Sequence, residues 1–334
     1  MSMMHKEHAI KIRTESFGDF ESIFLNRQFA LGWNCLFVLP VWLKTWWDVF
    51  GGNQDPKILT GYRQGKLIGV APLAVEGNIA RFIGGENVCD YQDMIVAPNH
   101  HGEFLGAIIS HLKDKGIQSL ELGALRPESV SLTQLPDVAR RTGHTVVCDP
   151  AGISSEIELP GTWESYLQMI ESKQRHEIRR KIRRLNEAGL VRFRVVQRPE
   201  EISEHMDIFF SLFTASRPDK SEFLTDSMLS FFLLLARRMA EHGFFRMSFL
   251  DIDGVPAAGV MCFDFNQTIF LYNNGYDPRF GRLSVGLLSK VYSIKDSIEQ
   301  KRVRYDLLKG NEIYKKRLGS TPVPLHRLTI DLDG

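Results

Sequence analysis

Two stretches of the chain repeat one order of apolar and polar positions. In the first, Lys57–Arg63 leads through Gln64-Gly65 into Lys66–Leu73; in the second, Phe245–Asp251 leads through Asp253-Gly254 into Val255–Phe263. Each reads as a strand, a Gly-containing turn and a second strand. A further strand follows, Ile79–Ile83 or Thr268–Asn273, and then a proline turn at Val96-Ala97-Pro98 or Tyr276-Asp277-Pro278. Helical spacing comes next. Phe104, Leu105, Ile108, Ile109 and Leu112 share one face of Gly102–Lys115, as do Leu287, Leu288, Val291, Ile294 and Ile298 of Val285–Gln300. Each helix leads into a strand, Gln118–Gly123 or Val303–Leu308.

Such an order, met twice in register, predicts an internal duplication. The expected fold is α/β with two related domains, 1–155 and 156–334. Gly65 and Gly254 should occupy equivalent hairpin turns, and Glu121 and Asp306 equivalent strands. The polar stretch Asp149–Gly161 marks the expected boundary. Trp163–Leu190 then predicts one long connecting helix with Thr162 as its N-cap.

Bulk properties fit this picture. A chain of 334 residues is too long for one ordinary core. Its 43% hydrophobic and 24% charged residues are those of a globular protein. A net charge of +1 supplies no global field that would pull it onto nucleic acid. The most apolar N-terminal stretch, Leu36–Phe50, contains Pro40, Lys44 and Asp48 and is too short to span a bilayer. Met1–Ile12 lacks an apolar signal core, so the chain is expected in the cytoplasm. Cys35, Cys89, Cys148 and Cys262 are scattered, which predicts reduced, buried thiols. The ten histidines form no HExxH pattern, His100-His101 reads as solvated loop, and no metal is implied.

Three segments could carry chemistry. Within the connecting helix, Lys173, Arg175, His176, Arg179, Arg180, Lys181, Arg183 and Arg184 form either a solvated face or an electropositive wall for a phosphate-bearing ligand. No aromatic residues interleave with them as a nucleic-acid stacking platform requires. The second segment, Tyr272–Gly286, passes from a strand through a Gly-rich loop into a helix. There Arg279, Arg282, Ser284, Val285 and Gly286 could receive an anion on free backbone amides at a positive helix end. In the third, Tyr305–Arg317, the apolar strand breaks off at Lys309-Gly310, and an acid, a phenol and an amine follow. Acyl transfer to an amine requires such groups: a proton acceptor, an orienting hydroxyl and a cation for the oxyanion. In the first half, Asp90, Tyr91 and Asp93 could hold a hydroxylated or amino acceptor, or simply form a turn.

Tyr276-Asp277-Pro278, Ser284, Gly286, Tyr305-Asp306, Gly310, Glu312, Tyr314-Lys315 and Gly319 resemble the C-terminal signature of the GNAT-type acyltransferases of the CelD/BcsL (cellulose-biosynthesis) group. The basic helix and the segment 90–93 fit as well, and the resemblance runs from about Phe37 to Gly319. Members of this group look like relatives of the Fem-type aminoacyl-transferases. The resemblance implies tandem GNAT-like domains, each a mixed, mostly antiparallel sheet with flanking helices. The N-terminal one would lie on the acceptor side and the C-terminal one would bind the donor. It implies transfer of an acyl group, acetyl first, from acyl-CoA to an amine or hydroxyl of a small-molecule or glycan-linked acceptor. It also implies a link to exopolysaccharide or envelope synthesis. The acceptor is expected in the cleft between halves.

On this reading Glu312 or Asp306 takes the acceptor proton and Lys315 stabilises the oxyanion. Tyr272, Tyr276 or Tyr314 orients or protonates the leaving group, and Asp90, Tyr91 and Asp93 contact the acceptor. The chain departs from the group's pattern at Asn311, where an acid is common, and at Leu318, where an aromatic is common. Arg282–Gly286 is a loose version of the GNAT pyrophosphate loop. Two alternatives follow: a non-catalytic module that binds a glycan precursor or partner protein, and a Fem-like ligase using aminoacyl-tRNA.

Overall fold

The computed structural model describes residues 10–26, 28–52, 56–216 and 224–333. The opening residues read above for a signal core, up to position 9, lie outside these. The chain forms two compact units. The first holds the residues up to Ile153 and those from Val323 onward, and the second is Ser154–Pro322. The crossing lies close to the expected 155/156, but the C-terminal strand belongs to the first unit.

In chain order the first unit contains β1 (Lys11–Glu15), α1 (Phe17–Leu25), α2 (Pro40–Phe50), β2 (Lys57–Arg63), β3 (Lys66–Glu76), β4 (Ile79–Phe82), β5 (Ile95–Val96), α3 (His101–Asp114), β6 (Ser119–Leu125), α4 (Val130–Thr133) and α5 (Leu135–Arg141). Next comes β7 (Thr145–Glu158), whose last residues belong to the second unit. The second unit continues with α6 (Trp163–Met169), α7 (Ser172–Glu187), β8 (Val191–Val196), α8 (Ile202–Ser216), α9 (Asp226–Glu241), β9 (Phe245–Ile252), β10 (Val255–Phe265), β11 (Thr268–Tyr276), α10 (Val285–Glu299), β12 (Arg304–Lys309) and α11 (Ile313–Arg317). The last strand is β13 (Thr321–Asp331). Among the described residues no helix is long and apolar enough to cross a membrane.

Each unit has the same strand order. The first runs β1-β2-β3-β4-β6-β13, with β5 on β3, and the second runs β8-β9-β10-β11-β12-β7. Both are antiparallel except at one pair: β4 runs parallel to β6, and β11 parallel to β12. The two hairpin turns share their geometry. Gln64 and Gly65 have φ of 49° and 78°, and Asp253 and Gly254 have 49° and 79°. Positive φ at both central residues gives the turn whose twist matches the flanking strands, and glycine takes the second position without a Cβ clash. Glu121 and Asp306 also occupy equivalent places. Each closes the paired run of its parallel strands, opposite Arg81 and Phe270 respectively.

Both expected amphipathic helices form with their apolar faces buried. Phe104, Leu105, Ile108, Ile109 and Leu112 of α3 pack into the first core, and Leu288, Val291, Ile294 and Ile298 of α10 into the second. In the second unit the two sheet faces differ. Tyr305, Leu307, Cys262 and Leu271 pack with α10, Ile178 and Leu185. On the other face Tyr272 meets Phe232 and Phe263 edge-on. There Gly275 lets α8 approach, since a Cβ would lie 2.4 Å from the Phe213 backbone nitrogen.

Four expectations are corrected. The polar stretch Asp149–Gly161 is largely strand, because its backbone pairs with β12 and Ile157 is buried between the half-buried Glu156 and the exposed Glu158. The single helix Trp163–Leu190 is two helices. Ile170 and Glu171 take extended ψ values of 151° and 140°, and Ile170 leaves the helix to pack against Gly319. Thr162 nonetheless caps α6 by accepting from the Ser165 amide at 3.1 Å. Cys148 is exposed while the other three thiols are buried, because it lies on the outward part of β7. His101 is the first residue of α3, and His100 faces Glu103 at 3.1 Å.

Candidate active site

The parallel strands β11 and β12 pair over only three residues, from Thr268↔Arg304 to Phe270↔Asp306. Strand β11 continues to Tyr276 and β12 to Lys309, so the two part beyond that point. Two local features accompany the split. On β11, Met261 opposes Asn273 and Cys262 opposes Leu271, which leaves Tyr272 as the extra residue of a β-bulge. On β12, Leu308 has φ of 61°, and Gly310 follows at 123°.

A leucine at positive φ is strained and persists only where its surroundings fix it. Here Asp306, buried, accepts from the Leu308 amide at 2.8 Å. The ammonium of Lys315, also buried, donates to the carbonyls of Leu308, Lys309 and Gly310 at 3.0, 2.8 and 3.4 Å. Glu312, half-exposed, pairs with the same ammonium at 3.0 Å. Lys315 therefore spends its donors on the chain itself and holds the end of β12 in shape.

Asp277 builds the start of α10. Its carboxylate caps the following turn by accepting from the Arg279 amide at 2.9 Å, and it holds the Arg279 guanidinium at 2.8 and 2.6 Å. That guanidinium keeps the Asp277 carboxyl below its ordinary range. Ser284 sits at φ of 60° as the N-cap, and its carbonyl accepts from Leu287 and Leu288, both at 3.0 Å. The Val285 and Gly286 amides have no acceptor among the described residues. The basic helix α7 supplies the neighbouring cations. Lys181 donates to the Ser284 hydroxyl at 3.2 Å, and Arg184 donates to the Arg282 carbonyl. Two free amides, the positive end of α10, Lys181 and Arg184 thus converge on one spot, with Arg282 next to it in sequence, and such a spot attracts a phosphate.

Gly286 has a second reason to be glycine. A Cβ there would lie 2.8 Å from the Tyr276 ring, so the helix packs directly on that phenol. One turn on stands Lys290, which the motif reading did not single out. Its buried ammonium donates to the Asn274 side-chain carbonyl at 2.9 Å and to the Gly286 carbonyl at 2.7 Å. It also lies 5.0 Å from the centre of the Tyr314 ring. Burial, aided by the nearby Glu312 charge, pushes the Tyr314 phenol far above its ordinary range. The sequence carried a signal for Lys290: it falls three residues after Leu287 and four before Ile294, a lysine on the apolar face of a helix.

The expected residues therefore fall into separate groups. Arg282, Ser284, Val285, Gly286 and Tyr276 gather at the start of α10, with Arg279 turned to Asp277, and Tyr314 joins them through Lys290. Asp306, Glu312 and Lys315 surround the kinked end of β12. Tyr272 lies on the opposite face, among phenylalanines. The remaining three are in the first unit. Tyr91 is buried edge-on to Phe37 and beneath the Arg126 guanidinium, and Asp90 is half-buried beside it. Asp93 does not present a free carboxylate. It accepts from the amides of Met94, Val130 and Ser131, each at 2.8 Å, and from the Ser131 hydroxyl at 2.7 Å. Asp93 thereby caps α4, which is a structural duty, and burial outweighs these donors and raises its pKa.

Residues 172–316, from α7 into α11, match the model of a family described as Acetyltransferase (GNAT) domain. No curated protein matches the chain. Among solved structures the chain is similar to FemX, at a TM-score of 0.64 and 11% identity, over 95% of this chain and 96% of that one. It is also similar to a tandem GNAT protein from the clavulanic acid biosynthesis pathway, with TM-score 0.52 and 11% identity over 97% and 98% of the two chains. L-PGS from Bacillus licheniformis gives 0.54 at 12% identity over 86% and 90%. At such identities the likeness is one of fold. The fold is GNAT acetyltransferase-like, a mixed α/β arrangement with a mostly antiparallel sheet flanked by helices.

Proposed function

We propose that the chain is an acyltransferase that moves an acyl group, acetyl first, from acyl-CoA to an amine or hydroxyl acceptor. The observation that carries this reading is the parting of β11 and β12 beside the cation-ringed start of α10. The residues there fit a pyrophosphate: the Val285 and Gly286 amides, the Ser284 hydroxyl, and the cations Lys181, Arg184 and Arg282 would hold it. When bound, acyl-CoA supplies a thioester carbonyl open to attack.

The chain's own groups divide the remaining work. An amine acceptor is mostly protonated at neutral pH and must lose a proton before it attacks. Glu312, the more exposed of the two expected bases, takes that proton directly or through water. Tyr314 keeps its proton because of burial and gives it to the leaving group. Lys315 and Asp306 position the end of β12 and act through it. The CelD/BcsL group and a role in exopolysaccharide or envelope synthesis belong to this proposal on the strength of the motifs quoted above, and the cytoplasm on the scattered cysteines.

Thermal unfolding of the full chain with acetyl-CoA tests it. A donor at 100 times its Kd stabilises the folded state by about 2.7 kcal/mol, so the midpoint should rise with concentration. Replacing Lys181 and Arg184 together by Gln should remove most of the rise. A midpoint indifferent to millimolar acetyl-CoA and to longer acyl-CoAs would favour the non-catalytic binding module instead.

A further inference from the structure

The first unit has its own strand split, and its chemistry is different. Pairing between β4 and β6 ends at Arg81↔Glu121, where the second unit has Phe270↔Asp306. Beyond that pair lies a cavity of about 280 Å³ whose wall includes Arg81, Glu86, Gln92, Glu121, Gly123 and Arg327. At ~30 Å³ per water in the liquid, that is room for about nine waters, or for a molecule of roughly a dozen heavy atoms. Gly123 keeps the space open, since a Cβ there would meet Glu86 Oε1 at 2.6 Å.

The wall has unspent acceptors. Arg81 gives both Nε and Nη2, at 3.0 and 2.7 Å, to a single oxygen of Glu121, and the other oxygen accepts nothing among the described residues. Arg327 donates to Glu86 Oε1 at 2.9 Å and leaves Oε2 in the same condition. Gln92 is buried and spends its amide N–H on the Ile83 carbonyl at 2.6 Å, which leaves its own carbonyl oxygen. Along the wall two carboxylates face two guanidinium groups, and each guanidinium is already spent on a carboxylate.

We infer that this cavity binds a small protonated amine that carries further hydroxyl or amide donors. An ammonium satisfies the two carboxylate oxygens, and an additional donor reaches Gln92. An anion would meet two open carboxylate oxygens and guanidinium groups already spent on carboxylates, and an apolar ligand would bury acceptors without partners, which is costly. The inference stands on the first unit alone and does not depend on the transferase reading.

Calorimetry on the full chain at pH 7 tests it with glucosamine and glucose, which differ by an ammonium in place of a hydroxyl. Glucosamine should bind saturably, and glucose at least about tenfold more weakly, the effect of losing one charge-assisted bond. Glu121→Gln and Glu86→Gln should each weaken glucosamine about tenfold. Gly123→Leu, which fills the cavity, should abolish binding while the unfolding transition stays cooperative. The inference is overturned if wild-type protein takes up no glucosamine, if glucose binds equally well, or if binding survives both Gly123→Leu and the two glutamine variants.

Discussion

The Lys290 ammonium, buried on α10, joins that helix to β11 by donating to the Asn274 side chain at 2.9 Å while also holding the Gly286 carbonyl at 2.7 Å. A single side chain thus sets the distance between the helix start and the strand that parts from β12. A buried cation is tolerated only when its donors are matched, and here two carbonyls and the Tyr314 ring face match them.

Lys290→Met tests that relationship. The two carbonyls lose their donor, at a cost of about 1–3 kcal/mol. Denaturant unfolding should show a lower midpoint with unchanged slope, and acetyl-CoA should bind more weakly because Gly286 is no longer tied down. Wild-type stability and affinity would show that the contact carries no weight.

The duplication was legible because each half states it in local chemistry: an x-Gly turn between apolar runs, then a helix with one apolar face. Gly65 and Gly254 needed nothing from the tertiary fold to be recognised. The candidate anion site was legible for the same reason, since Ser284 and Gly286 lie at a strand-to-helix junction. The helix break at Ile170 was not, because only the pocket opposite Gly319 explains why an apolar residue leaves a helix. Asp93 was likewise ambiguous. Its donors at Val130 and Ser131 are remote in sequence, so a capping aspartate looked like an open carboxylate. For Lys315 the sequence offered an oxyanion cation, but the three carbonyls that occupy its ammonium come from a kink that no periodicity announces.

Lys315→Met and Glu312→Gln should therefore separate. Removing the Lys315 ammonium orphans three carbonyls around a strained Leu308, and a loss of stability of about 2 kcal/mol or more is expected. Glu312→Gln sits at a half-exposed site and should cost little stability. If Glu312 is the base, turnover should fall about 10²–10⁴-fold with acetyl-CoA affinity unchanged. Equal stability of the two variants in urea would contradict the division drawn between them.

The thiols give a pH prediction. Burial pushes Cys35 and Cys262 up to about 12, and raises Cys89 further, against an ordinary value of about 8.5. A group whose pKa is raised on folding contributes stability that is complete below its unfolded pKa and is lost as pH climbs toward the folded value. The buried Tyr166, Tyr305 and Tyr314 act in the same sense at higher pH. The unfolding temperature should thus hold to about pH 8.5 and then decline. A thiol reagent at neutral pH should modify Cys148 alone in the folded chain and all four cysteines after denaturation. Rapid labelling of a second thiol under native conditions would be inconsistent with the buried positions.

The last prediction concerns the basic helix. Lys181 and Arg184 stand at the start of α10, while Arg180 on the same helix is occupied by Glu177 at 2.9 Å. If Lys181 and Arg184 hold phosphate, they bind ground state and transition state alike. Their loss then raises KM and leaves kcat nearly unchanged. Each charge-assisted contact is worth about 1.5–3 kcal/mol, so Lys181→Gln or Arg184→Gln should weaken acetyl-CoA roughly ten- to a hundredfold. The deficit should shrink as salt rises, because ions screen exposed charges over about 10 Å at 0.1 M. Arg180→Gln is the matched control, since it removes a cation from the same helix while touching only Glu177, and it should change neither constant. A kcat effect in the Lys181 variant without a KM effect would place that lysine in the chemistry. An equal deficit in the Arg180 variant would mean that the helix acts through its overall charge instead of through two placed cations.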